Sequence, residues 1–207
     1  MLQKACKPSS LVLLIFFLFV GSGLECFSQT QTNNYDIVLA GFTIGSMKAD
    51  KTTASNGEDY QLHSNVEFWF FGKIHVEFLQ KAHYEKGQLM KANTNSDSNR
   101  GNFVTTVVWN KDHYDVDANS YKFHNEEPIN QVIKGSTARL YFHEPKAGDI
   151  IISENFGMPT TVREIEKGVY EIEVNGSMNR FYYEGGVLQK VVLENNIKNY
   201  SIKRRID

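Results

Sequence analysis

The stretch "VYEIEVNG", residues 169–176, decides the fold class. Tyr170, Ile172 and Val174 alternate with Val169, Glu171 and Glu173, so an extended chain sets an apolar face against a largely acidic one. Asn175-Gly176 follows directly. A type I′ hairpin turn needs positive φ at both central residues, and Asn-Gly tolerates this best. The stretch predicts one strand and the tight turn into its antiparallel neighbour.

The same period of two extends in both directions from it. "YDIVLAG" (35–41) aligns Tyr35, Ile37 and Leu39, and "NVEFWFFG" (65–72) sets Val66, Phe68 and Phe70 against Glu67, Trp69 and Phe71. "IHVEFL" (74–79) alternates Ile74, Val76 and Phe78 with His75, Glu77 and Leu79. At the end, "NYSIKRRI" (199–206) places Tyr200, Ile202 and Ile206 opposite Asn199, Ser201, Lys203 and Arg205. Turn signals recur at strand-length spacing: Lys86-Gly87, Asn110-Lys111-Asp112, Lys167-Gly168, Glu184-Gly185-Gly186 and Asn195-Asn196. This pattern predicts an all-β domain, a strongly curved antiparallel sheet forming a half-barrel or open barrel. "NTNSDSNRGN" (93–102) is polar enough to be expected as a loop.

The N-terminus has a different character. Lys4 and Lys7 precede an apolar run, Leu11–Val20, of signal-peptide length. Cleavage after Ser28 puts Cys26 and Ser28 at the positions where small residues are expected; the alternative is lipid modification at Cys26. The expectation is a signal peptide over 1–28 and a single β domain over 29–207, exported to the periplasm or beyond. Both cysteines, Cys6 and Cys26, then leave with the peptide, and the domain stands on its core without disulfides. No second apolar run of spanning length appears, so it is not expected to be an integral membrane protein. With 22 basic against 24 acidic residues, neither nucleic acid nor an anionic surface is the expected partner.

Residues 141–157, "YFHEPKAGDIIISENFG", gather His143, Glu144, Asp149 and Glu154 around a Pro-to-Gly turn. Two local structures fit. One is a hairpin, Ala138–His143 with Asp149–Asn155, in which Arg139 would face Glu154. The other is a short helix, Thr137–His143, capped by Ser136 and ending before Pro145, with a strand around Ile150–Ile152 beyond Gly148. His143 and Glu144 are adjacent and diverge in either case, so turn chemistry accounts for the stretch better than catalysis.

Three segments, "YDIVLAGFTIGSM" (35–47), "STARLYFHEPKAGDIIISENFG" (136–157) and "NRFYYEGGVLQKVVL" (179–193), resemble in their order an uncharacterised family of exported Gram-negative bacterial proteins. The order is also similar to a broader periplasmic domain of unknown function, related in shape to the curved sheets of lipoprotein carriers. That resemblance implies the helix form of 136–143, one short helix beside the sheet, and carries over no catalytic residue.

Other chemistry is weakly signalled. Asp115, Asp117, Asn119 and Glu126 have calcium-loop spacing, but Ser120 stands where the loop needs glycine, so the reading preferred is a hairpin of Tyr114–Asp117 with Tyr121–His124, joined by a turn at Asp117-Ala118-Asn119. His75 and Glu77 share a strand face without a ligand-spaced third partner, and the six histidines are scattered. There is no G-x-S-x-G frame and no phosphate loop, so no catalytic residue, metal or cofactor is assigned.

Val66–Phe71 and Phe103–Trp109 are apolar on both faces. Something has to cover the second face, either a helix inside the curl or a bound apolar ligand. The resulting expectation is a non-enzymatic protein holding a lipid or other hydrophobic small molecule against Phe68, Phe70, Val76, Phe78, Val107 and Trp109. A structural or interaction module that binds another envelope protein through an edge strand is the rival, and a hydrolase with unrecognisable spacing is the third reading.

Overall fold

A computed structural model describes residues 28–69, 72–99, 101–120, 123–194 and 199–206. Residues 1–27 of the expected signal peptide, Phe70, Phe71, Tyr121 and the predicted turn at Asn195-Asn196 lie outside them.

The chain first climbs and descends through a meander: β1 (Gln29–Leu39), β2 (Phe42–Ala54), β3 (Gly57–Trp69), β4 (Lys73–Glu85), β5 (Gln88–Ser98), β6 (Phe103–Asn110), β7 (His113–Ser120) and β8 (Phe123–Asn125). An inner segment follows, with β9 (Gly135–Ser136), a 3-10 turn (Arg139–Tyr141), β10 (Ile150–Ser153) and β11 (Met158–Thr161). The chain then returns to the wall as β12 (Arg163–Glu166), β13 (Val169–Val174), β14 (Ser177–Glu184), β15 (Val187–Leu193) and β16 (Tyr200–Arg204).

The wall is one 13-stranded antiparallel sheet in the order β12-β13-β14-β15-β16-β1-β2-β3-β4-β5-β6-β7-β8. Because β16 pairs with β1, the first and last strands lie side by side in the middle of the sheet. Among the described residues no ladder joins β8 to β12, and the barrel is open there. Its curl combines the ordinary twist of adjacent strands with bulges, including those at Ile37/Val38 and Tyr182/Tyr183.

Alternation assigns the faces as expected. Tyr170, Ile172 and Val174 of β13 are buried, and Asn175 and Gly176 have φ of 47° and 77°, as the type I′ turn requires. Tyr35, Tyr60, Tyr84 and Tyr114 point inward and are almost wholly buried.

Three expectations are corrected. Residues 93–98 are strand, because Thr94 is buried and Asn93 Nδ2 donates to Thr106 Oγ1 across the ladder at 2.9 Å. The predicted turn at Asp117-Ala118-Asn119 is interior to β7, since Ala118 is completely buried on the inner face. The last strand stops at Arg204, leaving Ile206 exposed.

The inner segment occupies the concave side of the sheet and forms its own layer, β11-β10-β9, with β9 and β10 parallel. Of the two local structures proposed for 136–157, the hairpin is excluded. The helix form survives only as the three-residue 3-10 turn, with Ser136 Oγ 3.4 Å from the Arg139 N–H it accepts. Irregular backbone inside a barrel has few partners of its own, and inward wall side chains supply them. Tyr183 Oη donates to the Leu140 carbonyl at 2.6 Å, and Tyr114 Oη accepts from the Ile133 N–H at 3.1 Å. Asn125 Nδ2 donates to the Phe156 carbonyl at 3.0 Å and Thr105 Oγ1 to that of Asn155 at 2.6 Å. Gly157, at φ 60°, packs so closely on β7 that a Cβ would stand 2.4 Å from Val116 Cγ1.

Candidate functional site

The inner segment fills only part of the barrel. Between it and the end carrying the β1–β2 and β3–β4 connections lies a half-enclosed cavity of about 760 Å³. Its walls come from strand ends: Leu39 of β1, Phe68 of β3, Ile74 of β4, Phe103 of β6, Val174 of β13 and Leu193 of β15. Met47, Leu62, Val66 and Phe181 continue the apolar wall inward, and Thr137, Tyr141, Ser153 and Phe156 of the inner segment form the floor. Every described residue lining it is uncharged. Its few polar groups are neutral, among them Ser64, Ser96, Asn179 and Gln80, whose amide donates to Thr137 Oγ1 at 3.1 Å. The volume lies within the roughly 300–1,000 Å³ of small-molecule sites, and the apolar lining with sparse polar groups matches their usual chemistry.

Of the residues predicted to line a cavity, Phe68, Val76 and Phe78 do. Phe70 lies outside the described residues. Val107 and Trp109 face inward but do not line the cavity. Val107 is fully buried on the side where Gly157 of the inner segment packs, and Trp109 rests edge-on against Tyr114 with ring centroids 4.8 Å apart. Alternation found the correct face of β6 but not what covers it. The opposite contributors, Val174, Phe181, Leu193, Tyr200 and Ile202, were legible only as inward positions of strands whose distance from β3 in space the sequence does not state.

The charged groups of 141–157 diverge, as their adjacency required. Glu154 is fully buried and accepts from the Thr137 N–H at 2.8 Å, the Thr137 hydroxyl at 2.5 Å and the Ala138 N–H at 3.0 Å, which secures the start of the 3-10 turn. Glu144 accepts from Tyr170 Oη at 3.0 Å. Arg139 does not face Glu154; its guanidinium lies 3.7 Å from Glu58 and 5.1 Å from the centre of the Tyr84 ring.

His143 joins a polar cluster on the wall. Its Nε2 lies 2.9 Å from Tyr60 Oη and 3.2 Å from Lys51 Nζ, while Lys51 pairs with Glu58 at 2.8 Å and Tyr60 Oη donates to Glu58 at 3.0 Å. Lys51 can only donate, so Nε2 accepts and the ring is neutral. Burial, then the charges of Lys51 and Arg139, hold the His143 pKa below its usual value. Burial would raise Glu58, but hydrogen bonds from Lys51 and Tyr60 and the charges of Lys51 and Arg139 outweigh it and keep its carboxyl below the ordinary range. Tyr60 has one proton for two acceptors, Nε2 and Glu58, so only one of those two contacts is a hydrogen bond at a time; none of these groups lines the cavity. They act as a latch tying the inner segment to β2 and β3.

A family model described as a domain of unknown function, DUF6134, matches residues 35–205. The chain belongs to this family. No curated protein matches its sequence. The DUF6134 chain is similar in fold to the crystal structure of a β-barrel-like protein of the domain of unknown function DUF1849 from Brucella abortus. The TM-score is 0.57 at 10% identity, covering 87% of this chain and 97% of that one.

In the DUF6134 domain the calcium-spaced residues do not converge. Asp115, Asp117 and Asn119 stand along the outer face of a continuous strand, where Asp115 contacts His113 and Asn110. His63 meets Glu77 at 3.2 Å, without a third ligand. Among the described residues no group of three or more His, Cys, Asp or Glu is placed to hold a metal, and no helix is long and apolar enough to cross a membrane.

Proposed function

We propose that this protein is an exported, non-enzymatic carrier that holds an apolar or amphipathic molecule, such as a lipid or acyl chain, inside its open barrel. One observation carries the reading: a cavity of about 760 Å³ beneath the sheet whose described lining contains no charged side chain. A charged group buried there would lack a partner and cost several kcal/mol, whereas hydrocarbon gains about 25 cal/mol per Å² removed from water. Support for export is the basic Lys4 and Lys7 ahead of the apolar run Leu11–Val20. The periplasm is the compartment that the resemblance to exported Gram-negative proteins favours.

Native mass spectrometry of residues 29–207, purified without detergent and paired with organic extraction, tests it. A bound mass of lipid size is expected, lost in Phe68→Glu and retained in Val104→Glu, which changes the exposed outer face of β6. A clean apo mass with no lipid recovered would replace the carrier with the rival interaction module.

A further inference from the structure

We propose that the barrel end carrying Phe42 and Trp69 docks on the surface of a lipid bilayer, an inference that rests on the cavity being a lipid site. These are the two most exposed aromatic side chains of the described chain, at 75% and 78%. Phe42 starts β2 and pairs with Leu39, and Trp69 ends β3 directly after Phe68; Leu39 and Phe68 both line the cavity. The exposed rings therefore stand at neighbouring hairpin tips on the rim where the cavity ends. The chain's own apolar surface continues from the cavity wall to the outside at that point.

The occupant follows from size and chemistry. A Phe and a Trp together cover roughly 300–500 Å², well below the ~800 Å² per partner of a stable protein interface. Two projecting aromatic anchors instead suit the interfacial layer of a bilayer, where Trp is enriched because its ring is amphipathic. Lys73 pairs in register with Trp69 at the rim and reaches back to Glu67, two residues earlier in β3, at 2.8 Å, so the cation beside the ring is locally neutralised. With 22 basic and 24 acidic residues, the chain has no excess positive charge to drive adsorption to anionic lipid. The contact is one of insertion, and an apolar cargo entering the cavity from a bilayer need not cross water.

The test is partition onto neutral phosphatidylcholine vesicles, read by co-sedimentation and by fluorescence of a Trp109→Phe variant in which Trp69 is the only tryptophan. Binding, a blue shift and protection from an aqueous quencher are expected, insensitive to salt. Trp69→Ser should weaken partition about tenfold or more, and Phe42→Ser should add to the loss. Val104→Ser, an exposed apolar position away from the rim, should not. Sedimentation of the surface variants in the native Trp109 background decides the matter even if Trp109→Phe does not fold. Lipid retained in mass spectrometry without vesicle partition would overturn the docking and leave the cavity reading standing. Partition with no cavity lipid would keep the docking and remove the carrier function. Rim-dependent self-association with no vesicle binding would overturn the docking in favour of a contact between copies.

Discussion

Tyr60 and His143 meet with 2.9 Å between the phenol oxygen and Nε2, joining β3 near its turn from β2 to the residue two places beyond the 3-10 turn. This contact, 83 residues apart in sequence, is where the plug of the barrel is latched to its wall.

The latch makes stability depend on pH with a defined sign. The folded His143 pKa is depressed, so the unfolded chain takes up its proton first. Stability is full above the ordinary value of about 6.5 and falls as pH drops through it towards the folded pKa. Glu58 adds a separate loss at lower pH, below its ordinary 4.5, as its depressed carboxyl protonates in the folded state. His113, raised first by its hydrogen bond to Asp112, works in the opposite direction to His143 but is exposed and screened. Melting curves from about pH 8 to about pH 5 should show a decline in the wild type that is reduced in His143→Gln; parallel curves would remove His143 as the cause.

Glu154 should be needed as an acceptor. Glu154→Ala leaves the buried Ala138 N–H without a partner and is expected to cost about 2–3 kcal/mol in urea unfolding. Glu154→Gln keeps one carbonyl oxygen and should cost about 1 kcal/mol or less. Equal losses in the two variants would show that charge matters more than acceptance.

Tyr114 holds the entry to the inner segment, donating to the Leu89 carbonyl at 2.8 Å and accepting from the Ile133 N–H. Tyr114→Phe should destabilise the protein by about 1–3 kcal/mol. It should also speed amide exchange at Ile133; an unchanged exchange rate would contradict the assignment.

Gly157 and Gly176 both have positive φ, yet only Gly157 has a neighbour in the way. Gly157→Ala should cost about 1–3 kcal/mol through overpacking against Val116 as well as strain, whereas Gly176→Ala should cost only about 1 kcal/mol. Thermal melts that rank the two in reverse would mean the inner segment is not tightly seated on β7.

The rest of the molecule divides along a physical line. Local alternation showed the sheet, the Asn175-Gly176 turn, and the inward positions Phe68, Val76 and Phe78, because a strand's faces are set by a period of two along the chain itself. It also assigned Val107 and Trp109 inward, correctly, yet they do not line the cavity. An inward apolar residue has the same sequence signature whether a side chain, a plug or empty space stands opposite. What stands opposite β6 is Gly157, 50 residues from Val107, seated there by hydrogen bonds from Asn125 and Thr105. The pairing of β16 with β1, the destination of Arg139 and the unfilled end of the barrel are likewise long-range outcomes. The amino-acid sequence by itself determined that this chain is a curved antiparallel sheet and which side chains turn inward. Only tertiary structure decided which inward side chains meet protein and which meet a cavity, because that depends on where a remote, irregular segment can satisfy its backbone inside the barrel.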